Sequence, residues 1–174
     1  MIRPTPTGAE RSFPAEGLIV TKTDARGHIT YANPLFIEMA GYPARVVLGA
    51  PHSLVRHPDM PRGLFRLAWQ TLAAGDEFFA FVKNLCANGD HYWVFAHMTP
   101  SHDGEGQLVG YHSNRRFAPR GGVERAEALY ASIRAAEVAP SASQAAAEGA
   151  RALGAVLERA GRTWSELMFD WVRS

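Results

Sequence analysis

The side chains able to do chemistry are unevenly spread. His52, Ser53, Arg56, His57 and Asp59 crowd one proline-rich loop, residues 50–61, and Cys86 is the single thiol. A serine near two histidines has the ingredients of a nucleophile and its base. No Gly-x-Ser-x-Gly elbow positions it, so we read the juxtaposition as incidental. His52, His57 and Asp59 lack the spacing by which a helix or hairpin presents metal ligands, and one cysteine excludes a cysteine-rich cluster within a chain. The glycine-rich turn of a Rossmann site and the Gly-Lys-Ser/Thr of a phosphate loop are both missing, and dehydrogenase and NTPase chemistry lose their main support with them. The loop offers a cation, hydrogen-bond donors and a carboxylate. Arg56 and Asp59 suit either a bound ligand or a local ion pair, with His57 packed on Pro58.

The elements that must position this loop can be read from periodicity. Residues 17–23 and 28–32 are short β-prone runs around Asp24-Ala25-Arg26-Gly27, which predicts a hairpin. Asn33 can cap a short helix with Pro34 at its first position, ended by Gly41. A brief helical turn follows at residues 42–49. Three prolines keep residues 50–61 irregular. Leu64, Phe65, Ala68, Trp69 and Leu72 then recur at helical spacing and predict the main helix, closed by Gly75. Residues 78–85 and 91–100 flank Asn88-Gly89, a strong hairpin signal, and residues 107–117 form a further strand. This order gives an α+β fold, one antiparallel sheet with short helices on one face.

Beyond Pro119 the composition turns to Ala, Glu and Arg. An amphipathic helix carries Val123, Ala126, Leu129, Tyr130 and Ile133. Ser141 with Gln144 and Thr163 with Glu166 are capping-box patterns on either side of Gly161. Three units result: a flexible tail (1–16), a sensor-sized domain (17–118) and a helical extension (119–174). Trp164, Phe169 and Trp171 of the extension either dimerise, dock on a partner or pack back on the sheet.

The chain has 174 residues, enough for one sizeable core. Its 18 basic and 17 acidic side chains leave a net charge of +1, which implies neither a nucleic-acid nor an anionic-membrane partner. A lone cysteine suits a reducing, cytoplasmic setting. No export signal is evident, and no apolar run is long enough for direct membrane insertion.

One stretch is distinctive. Pro51-His52-Ser53-Leu54-Val55-Arg56-His57-Pro58-Asp59-Met60-Pro61, followed by Phe65 and Trp69, resembles the FAD-binding PAS domains of aerotaxis (energy taxis) receptors. The likeness extends to Ile29-Thr30-Tyr31-Ala32-Asn33, Gly41-Tyr42, Val82-Lys83-Asn84 and Asn88-Gly89-Asp90-His91-Tyr92-Trp93-Val94, covering residues 17–118 in order. The resemblance implies a PAS fold with a flavin between a five-stranded sheet and short helices. It assigns cofactor contacts to Asn33, Arg56, His57, Asp59, Phe65, Trp69 and Asn84, and the aromatic Phe78 and Trp93 are expected to join them. Two departures stand out. Phe78 replaces a tryptophan frequent in such domains, and the tail does not lead into a methyl-accepting domain.

The implied function is a non-enzymatic redox or oxygen sensor. It would report FAD state to a signalling partner, a chemotaxis receptor or a kinase-type protein, and form a homodimer. The residue types agree, since a flavin needs an apolar slot, amide partners for its polar edge and cations near its diphosphate. The aromatic stripe is equally what a plain core would show, and Asn33 equally a helix cap. Haem held by His52, His57, His91 or His97 and a cofactor-free interaction module are the competing readings. Cys86, on a strand near the hairpin, is poorly placed for a cysteine adduct and reads as an ordinary, partly buried thiol.

Overall fold

The computed structural model describes residues 3–173. Strands β1 (Ile19–Asp24) and β2 (Ile29–Ala32) form the first hairpin. Helices α1 (Pro34–Ala40) and α2 (Ala44–Val47) follow, then a single 3-10 turn (His52–Val55) within the proline-rich loop, and α3 (Arg62–Ala73). Strands β3 (Phe78–Leu85), β4 (His91–His102) and β5 (Leu108–Arg116) complete an antiparallel sheet of order β2-β1-β5-β4-β3. The extension is three helices, α4 (Arg120–Ala136), α5 (Ala142–Ala160) and α6 (Trp164–Val172).

Local chemistry accounts for the boundaries. The Asn33 side chain accepts from the Phe36 amide, and Gly41 closes α1 in the left-handed conformation that favours glycine. Thr163 and Glu166 form the reciprocal capping box expected of them, and Gly161 separates α5 from α6. The expected tail spans residues 1–16, of which 1 and 2 lie outside the described residues; residues 3–16 form no named strand. Residues 7–11 are nevertheless tied to the chain's hairpin: the Thr7 amide donates to the Gly89 carbonyl, the Arg11 amide to that of His91, and the His91 amide to that of Ala9. Phe13 is buried in the core.

Because strand side chains alternate, the sheet has two distinct faces. The inner face carries Thr21, Asn84, Ala96, Ser113 and Arg115 and lies under α1, the loop and α3. The outer face carries Phe81, Trp93 and Phe95, which the tail helices cover. The Trp93 ring stacks on Tyr130 at 6.4 Å, Phe79 meets Phe169 at 4.7 Å, and Phe81 faces Trp171 at 6.5 Å. Of the three fates open to the extension, the structure therefore shows packing back on the sheet.

Strand β3 is an edge, and unpaired edge groups invite pairing with another chain. Here three of them find internal partners. Tyr130 Oη donates to the Phe81 carbonyl at 2.7 Å, Trp164 Nε1 donates to the Phe79 carbonyl at 2.6 Å, and the Lys83 amide approaches Met60 Sδ at 3.3 Å. Burial holds the Tyr130 phenol far above its ordinary pKa, so it stays a donor. Gly122 of α4 lies so close to the Phe81 ring that a Cβ would collide, and Gly63 of α3 meets Gly149 of α5 in the same way. Small residues thus set both helix seatings.

Candidate ligand-binding site

A cavity of about 160 Å³ lies between the inner sheet face and α3. Helical spacing turns Phe65, Ala68, Trp69 and Leu72 towards it, and strand alternation brings Thr21, Thr23, Asn84, Met98, Tyr111, Ser113 and Arg115 from the sheet. His52, Val55 and Arg56 enter from the loop. Trp69 is 47% exposed and meets Tyr111 edge-on at 5.1 Å, so this pair stands at the mouth. The Arg56 guanidinium lies 4.0 Å above the Phe65 ring.

The polar lining is under-satisfied. Asn84 Nδ2, Ser113 Oγ, Thr23 Oγ1 and Arg115 Nη1 are buried without a hydrogen-bond partner, although buried polar groups ordinarily find one. Arg115 is the most unusual, a guanidinium only 3% exposed with no carboxylate beside it. Burial lowers its pKa to about 10, which leaves it charged at neutral pH. Its Nη2 donates to His52 Nε2 at 2.6 Å. Since arginine can only donate, that nitrogen carries no proton, and the tautomer is assigned from the geometry. Burial and the Arg115 charge push the His52 pKa to about 3, so the imidazole is neutral.

The nine expected cofactor contacts separate clearly. Arg56, Phe65, Trp69 and Asn84 meet at the cavity. Asn33 does not; its carboxamide is used by the Phe36 and Val20 amides and the Leu18 carbonyl. The loop pairs with the edge of β3 through an Arg56–Asn84 bridge; His57, next along, faces the other side, and the turn closed by the Met60 amide on the His57 carbonyl carries Asp59 there too. There His57 meets His91 edge-on at 5.7 Å, and Asp59 bonds Lys83 Nζ at 2.8 Å. Burial, reinforced by the Lys83 charge, lowers the His57 pKa to about 4. Burial alone would raise the Asp59 carboxyl, but the hydrogen bond and charge of Lys83 keep it below its ordinary value.

Phe78 lies opposite Met98, yet its ring stacks on Trp164 at 6.0 Å. Trp93 points away from the cavity. A two-residue Asn88-Gly89 turn would pair Asn84 with Trp93. The loop instead holds three residues, with Gly89 at φ 90°, so Asn84 pairs with Tyr92 and Trp93 faces α4. The sequence pattern alone does not mark Thr21, His52, Ser113 and Arg115 as flavin contacts, although Ser113 and Arg115 share the parity of Tyr111 on one strand. Cys86 is fully buried, its Sγ 3.2 Å from the Met39 carbonyl, and burial raises its pKa.

Arg56 and Ser53 also wall a second, larger cleft of about 710 Å³. It is bounded by Arg3, Tyr42, Arg62, Arg134 and Glu137, side chains drawn from the N-terminal arm, the helical core and α4.

A family described as PAS fold matches residues 29–115. This chain belongs to the PAS family. Its PAS domain is 40% identical over 117 residues to the aerotaxis receptor of Escherichia coli (strain K12), covering 67% of this chain and 23% of the receptor. A nitrogen fixation regulatory protein of Klebsiella pneumoniae is 32% identical over 97 residues, 56% of this chain and 20% of that protein. The chain thus spans under a quarter of these relatives, whose names are sensory or regulatory. Among solved structures, the light-state LOV domain of the blue-light photoreceptor Aureochrome1 superposes with a TM-score of 0.55 at 17% identity, covering 64% of this chain and 88% of that one. That likeness supports the fold. No helix among the described residues is long and apolar enough to cross a membrane.

Proposed function

We propose that this PAS domain holds FAD and reports its redox state to a signalling partner in the cytoplasm, without turning over a substrate. The observation that carries the reading is the inner cavity, where apolar walls meet four buried polar groups with no partner in the chain. A flavin ring fits that chemistry. Its flat body would lie against Phe65, Leu72 and Trp69, and its polar edge would accept from Asn84, Ser113 and Arg115. The volume sets a condition: a cavity of ~150 Å³ takes one benzene ring, so a three-ring system enters only if Trp69 and Tyr111 swing outward. The aerotaxis-receptor similarity supports the same cofactor. Haem finds less support, because His52 Nε2 is engaged by Arg115, while His97 pairs with Glu77 away from the cavity.

When bound, the flavin supplies reversible electron and proton uptake. The protein's part is to register the altered polar edge. Asn84 can present either the N–H or the C=O of its amide, whereas Arg115 can only donate and keeps its charge. Asn84 and Lys83 are neighbours on β3 facing opposite sides. Lys83 Nζ contacts Asp59 and, at 3.4 Å, Glu127 of α4. A shift of β3 at Asn84 is thereby felt by α4, which also bonds β3 through Tyr130. Signal would leave through α4–α6 to a chemotaxis-type or kinase-type partner. With the β3 edge engaged by α4, α6 and Met60, a homodimer would form through the exposed side of these helices.

Amide hydrogen exchange of the FAD-loaded chain in oxidised and reduced states tests this. Altered protection within Arg120–Ala136 is expected; identical exchange in both states would leave a flavin-binding domain without an output.

A further inference from the structure

The larger cleft carries a charge arrangement that the inner cavity does not explain. Four guanidinium groups, those of Arg3, Arg56, Arg62 and Arg134, line it against the single carboxylate of Glu137. That carboxylate is already committed: its oxygens accept from the Arg62 and Gly63 amides at 3.0 and 2.7 Å, capping α3 from a distance. The Arg62 side chain has no acceptor among the described residues. It also sits at the first position of α3, where the helix dipole disfavours a cation. Arg3 donates to the Arg56 carbonyl at 2.5 Å, and Arg134 donates to the Asp59 carbonyl with the Asp59 carboxylate 3.9 Å away. Burial, together with the charges of Arg62 and Arg3 and against the pull of Glu137, lowers the Arg56 pKa to about 10. The positive charge is thus concentrated and poorly compensated.

Arg56 and Ser53 line both spaces, so the two adjoin there, and a ligand long enough to pass these side chains would reach both. Its apolar ring would be inward and its anionic part in the cleft. Guanidinium groups suit phosphate oxygens because their donors are planar and paired. We propose that the cleft is a diphosphate subsite completed by Arg62 of α3 and Arg134 of α4, which selects a flavin dinucleotide over uncharged riboflavin and makes α4 part of the ligand site. This inference rests on the flavin reading above. It adds that the C-terminal helices touch the cofactor's anionic part directly, a second route to α4 besides β3.

The test is equilibrium titration of the full chain with FAD, FMN and riboflavin, for the parent and for Arg62→Gln and Arg134→Gln. Arg62→Gln removes no contact within the protein, so any loss it causes comes from the ligand; Arg134→Gln also loosens Asp59. Each variant should weaken FAD about tenfold, the size of one lost charge-assisted contact, and leave riboflavin within about twofold. Unchanged FAD affinity, or equal losses for FAD and riboflavin, would overturn the diphosphate subsite while leaving the flavin site intact. A parent chain that binds none of the three would overturn the flavin reading itself, and this inference with it.

Discussion

The two faces of one sheet are finished to different degrees. On the outer face, Phe79, Phe81, Trp93 and Phe95 interlock with Tyr130, Phe169 and Trp171, and the polar tips of Tyr130 and Trp164 reach backbone carbonyls. On the inner face, a buried arginine has no carboxylate, and Asn84, Ser113 and Thr23 lack partners. An unpartnered buried polar group costs about 1–3 kcal/mol, so the inner face, with four such groups around the cavity against His91 Nδ1 on the outer face, carries the larger penalty. The difference teaches a division of labour. The chain closes the outer face with its own helices and leaves polar groups of the inner face unpaired, as the proposed flavin site requires.

The comparison can be broken from either side. Phe81→Ala should show the largest effect, about 3–5 kcal/mol of stability by urea denaturation, because Phe81 is fully buried against Phe95, Trp171 and Gly122. FAD affinity of the folded fraction should stay within about twofold. If binding falls with stability intact, the faces are not independent.

Acid should act next. His52 and His57 are neutral in the folded chain, with pKa values of about 3 and 4, yet protonate near 6.5 once unfolded. Between those limits the unfolded state binds more protons, so stability falls as pH drops below about 6.5. The slope is about 1.4 kcal/mol per pH unit for each histidine. A denaturation series from pH 7 to pH 4 checks the slope, and His52→Gln should roughly halve it.

Arg115→Met should be the inner-face counterpart. Removing an uncompensated buried charge should leave stability unchanged or raise it by about 1 kcal/mol, while FAD affinity drops about tenfold or more. Loss of stability instead would mean that Arg115 serves the fold. The smallest effect belongs to Lys83→Met. Its carboxylate partners are about half exposed, so stability should change by less than about 1 kcal/mol. The exchange response of α4 to flavin reduction should nevertheless be lost.

Elements with local signatures were readable from residues alone. Asn33-Pro34, Asn88-Gly89 and the Thr163–Glu166 box each satisfy their own backbone, and each lies where its chemistry requires. The cavity was readable only in part. Phe65 and Trp69 followed from helical spacing, and Arg56 and Asn84 from the resemblance, but Trp93 missed by one residue of hairpin register, which reverses a strand's faces. Arg115 beside Arg116 reads as an exposed basic pair. Only the packing of β5 between β1 and β4 shows that one of them is buried. The N-terminal arm has no periodicity, because hairpin contacts made mainly through backbone amides and carbonyls leave little trace in side-chain pattern. Whether the tail would cover this sheet or another chain depended on long-range fit, Gly122 against Phe81 above all.

The most direct test is the absorbance spectrum of the freshly purified chain, followed by FAD titration of any cofactor-free fraction with intrinsic tryptophan fluorescence as the reporter. Flavin bands, release of FAD on denaturation and saturable one-to-one rebinding that quenches the tryptophan emission are expected. A colourless protein that FAD does not saturate would contradict the flavin reading, and the unpartnered groups of the inner face would then belong to a different ligand.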